Sequence, residues 1–155
     1  MPCCAFVAGI IELLKMKNDF FVIGLDFDGT VVKHKFPAIG EEVPYCLDVL
    51  KALQSAGHKI VLNTMRSDRP EGAFLTDAVN FLAERGIELW GINENPNQKN
   101  WTTSPKVYAN LYIDDAALGV PLKQDSEDER PFVDWKTVGE MLLGHGYVVE
   151  QIVLP

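Results

Sequence analysis

The sequence predicts an α/β fold: a mainly parallel, doubly wound sheet with helices between its strands. Three observations point there. Phe20 to Leu25 is an apolar run with almost no alternation, as in a strand buried on both faces of a parallel sheet. Strand-like segments then alternate with segments of helical period along the rest of the chain. Finally, polar side chains recur where those strands end, the edge on which open α/β sheets place their ligands.

Bulk properties narrow the class. With 155 residues, the chain is one domain able to bury a core. Its formal charge is 14 − 22 = −8. This acidic balance, without a basic run, disfavours nucleic acid as a partner but is compatible with a phosphorylated ligand held through a metal. Cys3, Cys4 and Cys46 have no metal-ligand spacing and read as reduced thiols, in keeping with a cytoplasmic protein. No apolar run approaches the roughly 18–20 residues of a membrane span, so no membrane partner is expected. Residues 1–18 read as an N-terminal extension ahead of a folded domain over 19–155. Cys3 to Leu14 is apolar except for Glu12 and lacks the preceding basic stretch of a signal peptide.

The elements follow in order. The first strand ends in Asp26-Phe27-Asp28-Gly29-Thr30. Val31 to Glu42 has no helical period and reads as a flap or short hairpin; Lys33, His34 and Lys35 there are read as solvated, with substrate contact as the alternative. Pro44 suits a helix's first turn, and Val43, Cys46, Leu47, Leu50 and Leu53 give one buried face that Gly57 terminates. Lys59 to Asn63 is the second strand, with Thr64 at its end. Pro70 or Glu71 opens a second helix with Phe74, Ala78, Phe81 and Leu82 inward, ended by Gly86. Ile87 to Ile92 is the third strand. A polar loop over 93–103 precedes a short helix begun by Ser104-Pro105 and carrying Lys106. Leu111 to Ile113 is the fourth strand, ending in Asp114-Asp115, and Val120 to Leu122 a short fifth. Gln124 to Pro131 is an acidic, solvated loop. Asp134 caps a last helix with Trp135, Val138, Met141 and Leu142 inward, and Tyr147 to Leu154 forms an edge strand.

Chemistry concentrates at the strand ends. Asp26 and Asp28, two residues apart at a buried strand's end, call for a positive partner, and a divalent cation with oxygen ligands meets that need. In a parallel sheet Thr64, Asp114 and Asp115 converge on the same edge, and Lys106 is the natural cation to join them. Arg66 is placed either for a bidentate phosphate or carboxylate contact or for a surface pair with Asp68. Trp90, Asn93 and Trp101 are candidates for the rim.

DFDGT after an apolar strand resembles the first motif of the haloacid dehalogenase superfamily of phosphohydrolases. Thr64 in IVLNT resembles its second motif, Lys106 its third and Asp114-Asp115 in LYIDDAALG its fourth, in family order over roughly residues 20–145. Lys99 competes for the third motif; Lys106 is preferred because it lies on the helix leading into the IDD strand. The resemblance implies a three-layer Rossmann-like fold without a cap domain, since neither the 13 residues Val31 to Val43 nor the 20 residues Gly86 to Pro105 can hold one. It further implies an Mg²⁺-dependent phosphomonoesterase acting through an aspartyl-phosphate. Asp26 would be the nucleophile, and Asp28 the acid and base with its carboxyl free for that work. Mg²⁺ would be bound by the Asp26 carboxylate, the Asp28 backbone carbonyl and Asp114, with Asp115 supporting them. Thr64, Lys106 and the turn at Gly29 would bind phosphate, and Thr30 would stabilise the turn. The substrate would be a phosphorylated small molecule or macromolecule, with a homo-oligomer compatible with the open site. The alternative function is a non-catalytic, regulatory phosphate- or metal-binding protein. A receiver domain fits less well, because the third strand ends without an Asp. A dinucleotide-binding fold is disfavoured because no Gly-rich turn follows the first strand.

Overall fold

The computed structural model describes residues 20–148; residues 1–18 and most of the expected 147–154 edge strand lie outside them. Four parallel strands form the main sheet in the order β5-β2-β1-β6, with β1 Val22–Leu25, β2 Lys59–Leu62, β5 Leu89–Ile92 and β6 Leu111–Ile113. Two small antiparallel pairs decorate it: β3 Asp68–Arg69 with β4 Gly72–Ala73, and β7 Leu122–Lys123 with β8 Phe132–Val133. The helices are α1 Cys46–Ser55, α2 Phe74–Glu84 and α3 Trp135–Gly144. The chain is therefore α/β and consistent with a Rossmann-like fold.

Handedness explains how the layers are arranged. The path β1 to β2 to β5 moves one way across the sheet, so right-handed crossovers put α1 and α2 on the same face. α3 joins them, and Ile23, Leu25, Ile60, Leu62 and Ile113 share one core with the apolar sides of all three helices. The return from β5 to β6 must cross the opposite face. There the expected helical layer is absent among the described residues. Among the described residues the irregular segment 93–110 covers that face, packing Val107 on Val22 and Val61 with Trp90 and Ala109 alongside.

Several local expectations need correction. No helix forms at Ser104-Pro105; a 3-10 turn at Gln98–Asn100 stands upstream instead. Pro70-Glu71 is the turn of the β3–β4 hairpin, and α2 begins at Phe74. The Asp68 carboxylate caps that helix from a distance, accepting from the Leu75 and Thr76 amides and the Thr76 hydroxyl; these bonds hold its carboxyl below the usual range. The predicted fifth strand pairs with β8 rather than joining the main sheet. α1 starts after Tyr45, which adopts φ 66°, rather than at Pro44. Met141 is exposed at 45% instead of buried. Other readings hold: Asp134 caps α3 by accepting from Thr137, and the 124–131 loop is exposed throughout. The 31–42 flap is hairpin-like, closed by the Val32–Glu42 bridge. No helix among the described residues is long and apolar enough to cross a membrane.

Candidate active site

Asp26 continues β1 past its last residue, its amide donating to the Ile113 carbonyl at 3.0 Å. That one backbone bond aligns the ends of β1 and β6 and delivers Asp26 beside Asp114 and Asp115. One carboxylate oxygen from each of the three lies within 4.8 Å of the others. Thr30 organises the group from below. Its buried hydroxyl donates to Asp26 Oδ2 at 2.8 Å and accepts from the Asp115 amide at 3.1 Å, while its carbonyl accepts from Trp135 Nε1 at 2.6 Å. Thr30 thus does more than stabilise a turn. It links the nucleophile candidate, the second acidic pair and α3.

Burial pushes the Asp26 carboxyl up to about 7; bonds from Thr30 and the Phe27 amide pull it down, and repulsion from Asp114 and Asp115 adds to the rise. Three half-buried hard oxygen donors, mutually repelling, are the donor set a divalent cation such as Mg²⁺ fits. The sign of the pH effect follows. In the folded, metal-free protein Asp26 keeps a proton that the unfolded chain has lost above the ordinary aspartate value of 3.8. Its contribution to stability therefore falls as pH rises from that value to about 7. A divalent cation competes with the same proton, so Mg²⁺ should raise the melting temperature more at pH about 8 than at pH about 5.5. Thermal melts in Mg²⁺ and in chelator at both pH values check this; an equal rise at both would place the ion elsewhere.

The Asp28 carboxylate is outside this cluster. The Arg66 guanidinium grips it from both sides, Nε to Oδ2 and Nη2 to Oδ1, each at 2.7 Å. Arg66 is 3% exposed. Its remaining donors reach the carbonyls of Pro37 at 3.1 Å, Ala38 at 2.9 Å and Phe74 at 3.4 Å, and its Cζ lies 5.1 Å from the centre of the Phe27 ring and 5.2 Å from that of Phe36. One expectation is corrected here: Asp28 does not keep its carboxyl free. Of the alternatives for Arg66, the bidentate carboxylate contact is the one found, made to Asp28 instead of a surface pair with Asp68. The reason is geometric: the turn after β1 and the loop after β2 lie side by side, and a buried guanidinium takes the nearest carboxylate in its fork.

The flap closes on the same edge. His34 is not solvated; its Nε2 meets Asp115 Oδ2 at 2.8 Å. Gly29, at φ +83°, makes room for that pair, since a Cβ there would overlap both side chains. The Gly29 amide donates to the Val32 carbonyl at 2.7 Å, so it is engaged within the turn rather than presented to a ligand. Lys33 pairs with Glu41 at 3.2 Å and Asp125 at 2.5 Å, pinning the flap to the acidic loop, while Lys35 is exposed.

Thr64 stands just past β2, beside the end of β1, because the Asn63 amide donates to Leu25 O. The Thr64 amide donates to Asn93 Oδ1 at 2.8 Å, and its hydroxyl accepts from the Arg66 amide at 3.1 Å. Asn93 adopts φ 51°, a left-handed turn that asparagine tolerates, directly after β5. Lys106 lies on the sheet face that Gly24 leaves open to Tyr112. Its Nζ sits 5.8 Å from the centre of the Tyr112 ring, which crosses Gly24, and it makes no ion pair among the described residues. The competing Lys99 pairs with Glu94 at 2.5 Å.

The segment bearing Lys106 is held by a side chain instead of by helical bonds. Buried Gln98 donates to the carbonyls of Ser104 at 2.8 Å and Lys106 at 2.6 Å, and accepts from the Tyr108 amide at 2.7 Å. Neither Gln98 nor Thr30 stands out in the sequence as a positioning residue. A buried Thr four residues after an acid offers a weak signal; a Gln in a polar loop offers none. Trp90 is half-buried against Phe20, and Trp101 packs edge to face on Tyr108.

No protein-family model and no curated protein matches the chain. Among solved structures it is similar to a conserved protein coded by a locus of Bacteroides thetaiotaomicron. The two share 32% sequence identity and a TM-score of 0.65, over 82% of this chain and 93% of that one.

Proposed function

This chain belongs to the same family as the conserved Bacteroides thetaiotaomicron protein, and we propose for it the activity its own acidic cluster supports best: Mg²⁺-dependent hydrolysis of phosphomonoesters at Asp26, in a haloacid-dehalogenase-type domain without a cap. One observation carries the reading. Asp26, Asp114 and Asp115 bring three carboxylate oxygens within 4.8 Å of one another from two adjacent strand ends, with Thr64 on the neighbouring strand.

Asp26, Asp114 and Asp115, with the Asp28 backbone carbonyl, would hold Mg²⁺. When bound, the ion neutralises charge on the phosphoryl oxygens and so lets an anionic nucleophile approach them. An Asp26 oxygen donates its electron pair to phosphorus while the P–O bond to the leaving group breaks. The departing oxygen takes that bond's electron pair and a proton given by Asp28. Water then attacks the aspartyl-phosphate, loses a proton to a base, and releases inorganic phosphate with the Asp26 carboxylate restored. Thr64 and Lys106 hold phosphoryl oxygens through both steps. Asp28 is the proton-transfer group. Each of its oxygens has a lone pair beyond the one Arg66 occupies, so it can accept the water's proton while keeping both hydrogen bonds from Arg66.

The bidentate hold on Asp28 favours a second reading, a metal-binding protein without turnover. A panel of phosphomonoesters, including sugar phosphates, phosphopeptides and 3′-phosphorylated oligonucleotides, separates the two. Phosphate release in Mg²⁺ that stops on chelation supports hydrolysis. Mg²⁺ binding with no release from any ester supports the second reading and overturns the first.

A further inference from the structure

A groove of about 440 Å³ opens between the end of β5 and the segment carrying Lys106. That volume falls in the range of roughly 300–1,000 Å³ typical of small-molecule sites. At one end stands Asn93, whose side chain is bonded to the Thr64 amide, and the opposite wall runs through Ser104 and Pro105 to Val107. Thr64 is thus one hydrogen bond away from the groove, and Lys106 lies in the chain between Pro105 and Val107 of its wall, though neither lines it.

Its walls are polar and in part unengaged. The Asn93 amide nitrogen is left over once its oxygen accepts from Thr64. Thr103 makes no hydrogen bond among the described residues. Thr102 and Ser104 accept from the amides of Ser104 and Lys106, leaving both hydroxyl protons available. The Glu94–Lys99 pair supplies an acceptor and a cation at the rim. Gln98 and Asn95, both buried, have their polar atoms engaged in holding the walls, which makes the groove preformed rather than a gap in a loose loop. No aromatic ring lines it, because Trp101 and Tyr108 stack on each other outside. A planar base or an acyl chain has little to pack against there, whereas a moiety bearing several hydroxyls meets a donor or acceptor at each turn.

We infer that this groove receives the leaving group of the substrate, and that the leaving group is hydroxyl-rich, a sugar or polyol. This rests on the phosphohydrolase reading of Asp26. The test compares kcat/KM for glucose 6-phosphate, glycerol 3-phosphate and ribose 5-phosphate with that for p-nitrophenyl phosphate and a nucleoside 5′-monophosphate, in wild type and in Thr103→Tyr. Thr103 is exposed, so the larger side chain fills the groove without entering the core. Wild type should favour the sugar and polyol esters, and Thr103→Tyr should lower their ratio to the aryl ester by about tenfold or more. Ser104→Tyr, acting from the neighbouring position, should do the same if Thr103→Tyr is poorly expressed. A ratio unchanged in both variants overturns the inference. So does a nucleotide preferred over ribose 5-phosphate, or an aryl ester preferred over every sugar, and in these cases Mg²⁺-dependent release from the aryl ester leaves the phosphohydrolase reading standing. Release from no ester overturns both.

Discussion

Asp26→Asn should abolish Mg²⁺-dependent phosphate release, lowering kcat by about a thousandfold or more, without unfolding the protein. Asparagine matches aspartate in shape and its carbonyl oxygen can still accept from the Thr30 hydroxyl, so the link from β1 to Thr30, Asp115 and Trp135 survives. What disappears is the anionic nucleophile. The substitution also removes a half-buried charge that Asp114 and Asp115 repel. Melting in chelator near neutral pH should therefore be as high as in wild type or higher, the pattern of a residue kept for chemistry at some expense in stability. Both measurements matter together. Lost activity with a collapsed melting temperature would speak only of structure, and retained activity with a normal fold would remove Asp26 from the reaction.

Arg66→Met should be the most destabilising of the site substitutions, by about 3–5 kcal/mol. The guanidinium is buried and joins its own loop to three segments: Asp28 in the first turn, Pro37 and Ala38 in the flap, and Phe74 at the start of α2. Methionine keeps some of the contact with the Phe27 and Phe36 rings but leaves the Asp28 carboxylate without its partner and three carbonyls without donors. Much of the loss should come from the stranded charge. Adding Asp28→Asn to Arg66→Met should then recover part of it, and the double-mutant cycle in urea unfolding measures how much. Additive effects of the two substitutions would mean that the pair does not act as a unit. Because Arg66 also holds the flap that places His34 on Asp115, the single variant should weaken Mg²⁺ binding as well as the fold.

Much of the architecture was legible in the residues because it depends on local rules. An apolar run without alternation could only be a strand covered on both sides, and β1, β2, β5 and β6 fall within or beside the segments expected for strands. Gly57 and Gly86 lie just past α1 and α2 with positive φ, and Asp134 caps α3. The convergence of Asp26 with Asp114 and Asp115 was equally readable, since parallel strands must put their carboxyl ends on one edge.

The misses share a different physics. The Ser104-Pro105 helix start was a sound local signal. It lost to Gln98, whose one side chain makes three bonds to that segment in an irregular, bent form. Pro70 likewise served a hairpin turn instead of a helix because Asp68, seven residues before Leu75, caps α2 through space.

The sequence by itself determined the strands, the order of the motifs and the edge on which the acids meet, because each follows from neighbours along the chain or from the one-sidedness of a parallel sheet. Only the tertiary structure decided which charge goes to which. Arg66 and Asp28 are 38 residues apart, and His34 and Asp115 are 81 apart. Such pairings are chosen by burial: a guanidinium taken out of water must bond every donor it has, and the carboxylate within reach of its fork was the one expected to stay free.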